Sequence, residues 1–184
     1  MKKSLLGLAI STLFMVGTAH ADTNPKDVSA VLSVNGVVNH VSSCAVHLGS
    51  NIISLSSDID KLTPQGDAGS DNMQIAEISL AGDDECSTLA SLGKIAYKFL
   101  GTADTAAGTS LANTDLGASA ASGVGIALYQ VNNGNGVLRI NQDTMLAAPS
   151  TAVSQLGLGL VKLDGQEVKA GAVLGALTIQ IERL

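Results

Sequence analysis

Apolar residues recur mainly at every second position, the spacing of strands with one buried face. The clearest run is early, where Val28, Ala30, Leu32 and Val34 alternate with Ser29, Val31, Ser33 and Asn35 until Gly36 interrupts. Further runs cover residues 37–48, 52–55 and 75–80, and in the last of these Ala76, Ile78 and Leu80 form one face. Ile95, Tyr97 and Phe99 then alternate with Ala96, Lys98 and Leu100, and Gly101 ends that strand. Residues 125–131 and 137–140 flank Asn132-Asn133-Gly134-Asn135-Gly136, a turn composition that tolerates positive φ and predicts a β-hairpin. Leu156, Leu158 and Leu160 alternate with Gly157, Gly159 and Val161. After a turn at Asp164-Gly165, a last strand is predicted from Val173 onward, with Leu177, Ile179 and Ile181 on one face. Residues 102–122 are mostly Ala, Gly, Ser, Thr and Asn with two aspartates, and predict a long surface connection. Helical periodicity with caps is not sustained over any window of about 12 residues beyond the start of the chain. The pattern predicts an all-β domain, a sandwich of short antiparallel strands.

The chain of 184 residues begins differently. Met1, Lys2 and Lys3 precede an apolar stretch at residues 5–16 and then Thr18-Ala19-His20-Ala21, the form of a secretory signal peptide over residues 1–21. That stretch is short of the roughly 20 residues needed to cross a bilayer, so no stable membrane insertion is expected. Cleavage after Ala21 leaves Asp22 first, with no cysteine there for lipid attachment. It also removes Lys2 and Lys3, which takes the formal net charge from −6 to −8. Such acidity argues against nucleic acid or anionic lipid as a partner. Only Tyr97, Phe99 and Tyr129 remain as aromatic residues, so the core must be aliphatic and flat ligands have few stacking partners. Cys44 and Cys86, the only cysteines, read as one disulfide in an oxidising compartment. A closed loop of this length contributes about 4 kcal/mol in the chain-entropy model.

Candidate chemistry is sparse, and no catalytic, cofactor-binding or metal site is expected. His40 and His47 lack a third ligand at convincing spacing and read as strand residues. Asp83, Asp84 and Glu85 read as an exposed, solvated turn, and Asp58 and Asp60 lack the loop of an EF-hand. Gly123 and Gly125 are not followed by the Lys-Ser or Lys-Thr of a phosphate loop, so a strand entry is the better reading. No serine sits in Gly-x-Ser-x-Gly.

The order and spacing of four pieces resemble subunits of the type 1 fimbria class, pilins of the chaperone–usher pathway. These are Gly36-Val37-Val38-Asn39 shortly before Cys44-Ala45-Val46, a second cysteine at Cys86, Phe99-Leu100-Gly101-Thr102-Ala103, and Gly123-Val124-Gly125-Ile126-Ala127-Leu128. The resemblance implies a pilin fold, an incomplete immunoglobulin-like sandwich that lacks its seventh strand and is completed by donor-strand exchange. It implies a donor-strand extension at residues 22–35, carrying Val28, Ala30, Leu32 and Val34, and a pilin domain at 36–184. Leu177, Ile179 and Ile181 would line the receiving groove. Implied partners are other pilin subunits, a periplasmic chaperone and an outer-membrane usher, and the implied destination is the cell-surface fimbrium. The chain differs from the family in ending Glu182-Arg183-Leu184, where a tyrosine next to last is usual. Two other readings compete. Residues 28–34 could be an ordinary first strand of a secreted or tip-associated binding module, with residues 102–122 meeting a host glycan or protein. A periplasmic enzyme would need a residue constellation that the sequence does not offer.

Overall fold

Burial follows the alternation. Within Gln74–Gly82, Ile78 and Leu80 are buried and Ala76 is half-buried, while Ile75 and Glu77 face solvent. Within Ile95–Gly101, Tyr97 and Phe99 are wholly buried. The computed structural model describes Asn35 and residues 43–70, 72–131, 134–149 and 152–184. The predicted leader and the run Val28, Ala30, Leu32 and Val34 lie outside the described residues, as does His40.

The strands in chain order are β1 (Cys44–Leu48), β2 (Thr63–Pro64), β3 (Gln74–Gly82), β4 (Ile95–Gly101), β5 (Leu111–Ala112), β6 (Val124–Gln130), β7 (Gly136–Leu138), β8 (Thr144–Leu146), β9 (Ser154–Lys162) and β10 (Leu177–Arg183), with a helix α1 (Asp84–Ser91) between β3 and β4. One sheet has the order β1-β3-β9-β6-β5, with β2 added on β9 and β7 on β6. The other has the order β10-β4-β8. All pairings are antiparallel except β2 with β9. Ile78, Leu80, Ile126, Leu128 and Leu156 from the larger sheet meet Ile95, Tyr97, Phe99 and Met145 from the smaller one in a single core. This is the predicted all-β sandwich. A second, smaller cluster of Ala127, Tyr129, Val161 and Leu163 covers the outer face of the larger sheet.

The hairpin forms as expected, with Gln130 opposite Gly136 and positive φ at Gly134 and Asn135. Four other expectations are corrected. The acidic turn is the start of α1, whose eight residues are too few to show a helical period in sequence. Asp83 caps it by accepting a hydrogen bond from Cys86 N at 2.8 Å, and its other carboxylate oxygen accepts from Ser43 N at 3.0 Å. Asp84 and Glu85 then favour the positive end of the helix dipole. Residues 102–122 are not only a surface connection, because Ser110 and Leu111 are buried and β5 extends the larger sheet. Residues 52–55 form no strand, since no neighbouring strand offers them a ladder. Finally, β10 begins at Leu177 and not at Val173, because Gly101 at the end of β4 is the last residue available to pair with it.

Candidate functional site

β10 uses one edge to pair with β4, with Leu177 opposite Gly101 and Arg183 opposite Ile95. No described strand pairs with its other edge. Among the described residues the edge along residues 177–182 therefore has no ladder partner, and a strand edge of this kind can accept a further strand. Side chains on β10 alternate in the same sense, with Leu177, Ile179 and Ile181 half-buried toward the core and Thr178 and Gln180 exposed.

Beside this edge lies an apolar trough. Gly175, Ala176, Leu177 and Ile179 form one wall, Ser50, Asn51, Ile53 and Leu55 face them, and Ala76, Leu111, Ile126, Leu156 and Leu158 supply its floor from the larger sheet. Its volume is about 330 Å³. A neighbouring cavity of about 580 Å³ shares Asn51, Ile53, Leu55, Ile126 and Gly175 and extends the trough past Val173 and Leu174. None of the described residues lining either cavity is charged. A Cβ at Gly175 would stand 2.7 Å from Ile126 Cδ1, so the bare backbone at this position keeps the channel open. Such a trough suits a neutral extended segment with apolar side chains at alternate positions, and it offers no acid, base or metal ligand.

Of the residues singled out from sequence, Leu177 and Ile179 line the trough, while Ile181 packs against the core beyond it. Cys44 and Cys86 form a disulfide with a Cα–Cα distance of 5.6 Å, tying the first residue of β1 to the first turn of α1. His47 is exposed on β1 opposite Ser79. Asp58 pairs with Lys61 at 2.6 Å on the open surface, and the hydrogen bond from that ammonium lowers the carboxyl's pKa. Asp60 lies in a short 3₁₀ turn, Ile59–Lys61. No three candidate metal ligands come together among the described residues. Gly123 takes positive φ just before β6 and Gly125 lies within that strand, so this pair is a strand entry. Sequence reasoning missed the floor and the far wall. The available signal was Leu111, a large apolar residue in a tract of small polar ones, together with the inward pair Ile53 and Leu55.

A model of the family described as Fimbrial protein matches residues 32–182. Among solved structures, the P pilus rod subunit PapA aligns with a TM-score of 0.57 at 15% sequence identity, covering 85% of this chain and 100% of that one. At that identity the likeness shows a shared fold, the pilin sandwich. No curated protein sequence matches. The family match covers most of the chain and meets a pilin-like sandwich with an open strand edge: the chain belongs to the fimbrial protein family, as a structural pilus subunit and not an enzyme.

Proposed function

We propose that this subunit polymerises by donor-strand exchange, with residues 22–35 of one copy or of a related subunit filling the trough of the next. The observation that carries this reading is the open edge of β10 above a neutral apolar channel. Val28, Ala30, Leu32 and Val34 have the alternation that such a channel accepts, and register is set because a slip of one residue would turn all four outward and bring Ser29, Val31, Ser33 and Asn35 in. Burying Val28, Leu32 and Val34 at ~1.5–3 kcal/mol each gives roughly 4.5–9 kcal/mol before ordering costs, with a smaller addition from Ala30. Ladder bonds add about 0.5–1.5 kcal/mol each. An exposed strand edge is a hazard for a free subunit. A periplasmic chaperone that covers it, and an outer-membrane usher where one occupant replaces the other, fit that need.

The test is assembly itself. A chain lacking residues 22–35 is expected to leave no filaments by electron microscopy, and Ala30→Trp to abolish joining by overpacking the trough while the melting temperature of the subunit stays unchanged. Filaments from the shortened chain in wild-type yield would sink the proposal.

A further inference from the structure

We propose that a gap in the larger sheet is a binding site for a neutral sugar unit, with the Tyr129 hydroxyl in its deepest part. The site is separate from the trough and does not depend on the donor-strand reading. Along one edge of β9, β3 pairs as far as Leu158 and β2 takes over only at Val161, so neither strand pairs with Gly159 or Leu160. A cleft of about 20 Å³ opens there, lined in part by Gly159, Leu160 and Tyr129. It has room for one water-sized group. A Cβ at Gly157 would stand 3.2 Å from Tyr129 Cβ, and one at Gly159 would stand 3.2 Å from its Cε2 and 3.9 Å from its hydroxyl oxygen. The ring therefore lies along bare β9 backbone, with its hydroxyl at the Gly159 end where the cleft is. Tyr129 is 1% exposed, and no described residue hydrogen-bonds to that hydroxyl. A buried donor without a partner carries a desolvation cost that an incoming group relieves.

The cleft shares Ser56, Ser57, Lys61 and Asn72 with an outer cavity of about 400 Å³, which Asp58 and Gln74 complete. That volume suits one small ligand. Every described residue lining the outer cavity is polar. Lys61 is bonded to Asp58 at 2.6 Å, so the described lining holds no unbalanced charge. The acidity of the whole chain also disfavours an anion. Ser56, Asn72 and Gln74 supply hydroxyl and amide groups that both donate and accept. An anion needs donors alone and a metal ion acceptors alone, whereas the vicinal hydroxyls of a sugar need both. The walls are already set, because Thr63 Oγ1 donates to Ser70 Oγ at 3.4 Å and Lys61 N to Asp58 O at 3.0 Å. A site shaped in advance loses little entropy on binding. One sugar hydroxyl enters the cleft and meets Tyr129, while the ring of the sugar stays among the amides outside.

The experiment titrates the full chain, as free subunit, with a panel of methyl hexopyranosides and with the corresponding free hexoses, followed by amide chemical shifts. Saturating shifts are expected at Ser57, Asn72 and Gly159, with Ile53 and Ile179 of the trough unmoved. A response to the glycosides alone identifies the ligand as the end of a glycan chain, and a response to both identifies it as a free sugar. Tyr129→Phe keeps the ring and removes the hydroxyl, and should bind roughly 3–10-fold more weakly. Its melting temperature at neutral pH should match wild type, because the lost hydroxyl has no described protein partner. Asn72→Ala, on the exposed surface, should weaken binding to a similar degree with the fold intact. No saturating shift with any sugar, shifts confined to the trough, or a Tyr129→Phe chain that binds as tightly as wild type would overturn the inference.

Discussion

A side chain at residue 82 would have nowhere to go. Gly82 stands opposite Cys44 in the β1–β3 ladder, and a Cβ there would lie 2.8 Å from Cys86 Cβ and 2.9 Å from its Sγ, as well as against the Ser43 carbonyl. The disulfide therefore packs directly on bare backbone. Gly82→Ala is expected to cost about 1–3 kcal/mol through overpacking, which lowers the melting temperature by roughly 2–12 °C in a domain of this size. A calorimetric scan that matches wild type would show that the corner relaxes without strain. At this scale the sequence was partly legible. The cysteine pairing could be read from a count of two, because only one bridge is possible. The reason for Gly82 could not, because it depends on a helix that brings Cys86 back over the strand.

Elements with a regular period and a partner inside the same subunit were readable, as β3, β4, β6 and β9 show. Residues 52–55 were read as a strand, and the side-chain pattern is correct, with Ile53 and Leu55 turned inward and Ile52 and Ser54 outward. What alternation cannot reveal is whether a ladder partner exists. These residues form the wall of the trough that faces β10, so a strand entering the trough would run beside them. Amide hydrogen exchange at Ile53 and Leu55 is expected to be fast in the isolated subunit and slowed in filaments, together with β10. Equal rates in both would mean that the occupant pairs with β10 alone. Helix α1 was missed for a different reason, since capping by Asp83 and a disulfide stabilise it and neither leaves a periodic mark.

For the whole molecule, the two buried tyrosines make stability depend on alkaline pH. Burial raises the pKa of the Tyr97 phenol and outweighs the opposing effect of the Ser154 hydroxyl nearby. Burial also raises that of Tyr129, and the charge of Asp67 adds to the effect. As pH climbs past about 10, the unfolded chain gives up these protons first. The associated stability is present below that pH and is lost as pH rises toward the folded values. Melting temperature should therefore hold to about pH 10 and then fall, with a shallower fall in Tyr129→Phe. A flat profile would contradict the burial of both hydroxyls. The sandwich itself was legible because three aromatics and an aliphatic alternation leave few other ways to close a core. Of the trough, the β10 wall at Leu177 and Ile179 was expected from the family resemblance, but its floor and far wall were not legible, because they come from segments distant in sequence, such as Ile53, Leu111 and Leu156.

That distance bears on timing. β10 follows in the chain every strand it packs against, and it pairs Ile181 with Tyr97, a residue far upstream. A chain exported from its N-terminus presents the run at 28–34 first, long before its own β10 exists to wall a trough. In the proposed joint, donor and receiver thus mature at different moments within one molecule. Once β10 has paired with β4, each free copy holds both halves of the joint at once, so what separates growth from premature self-association is the covering of the β10 edge until a neighbour arrives.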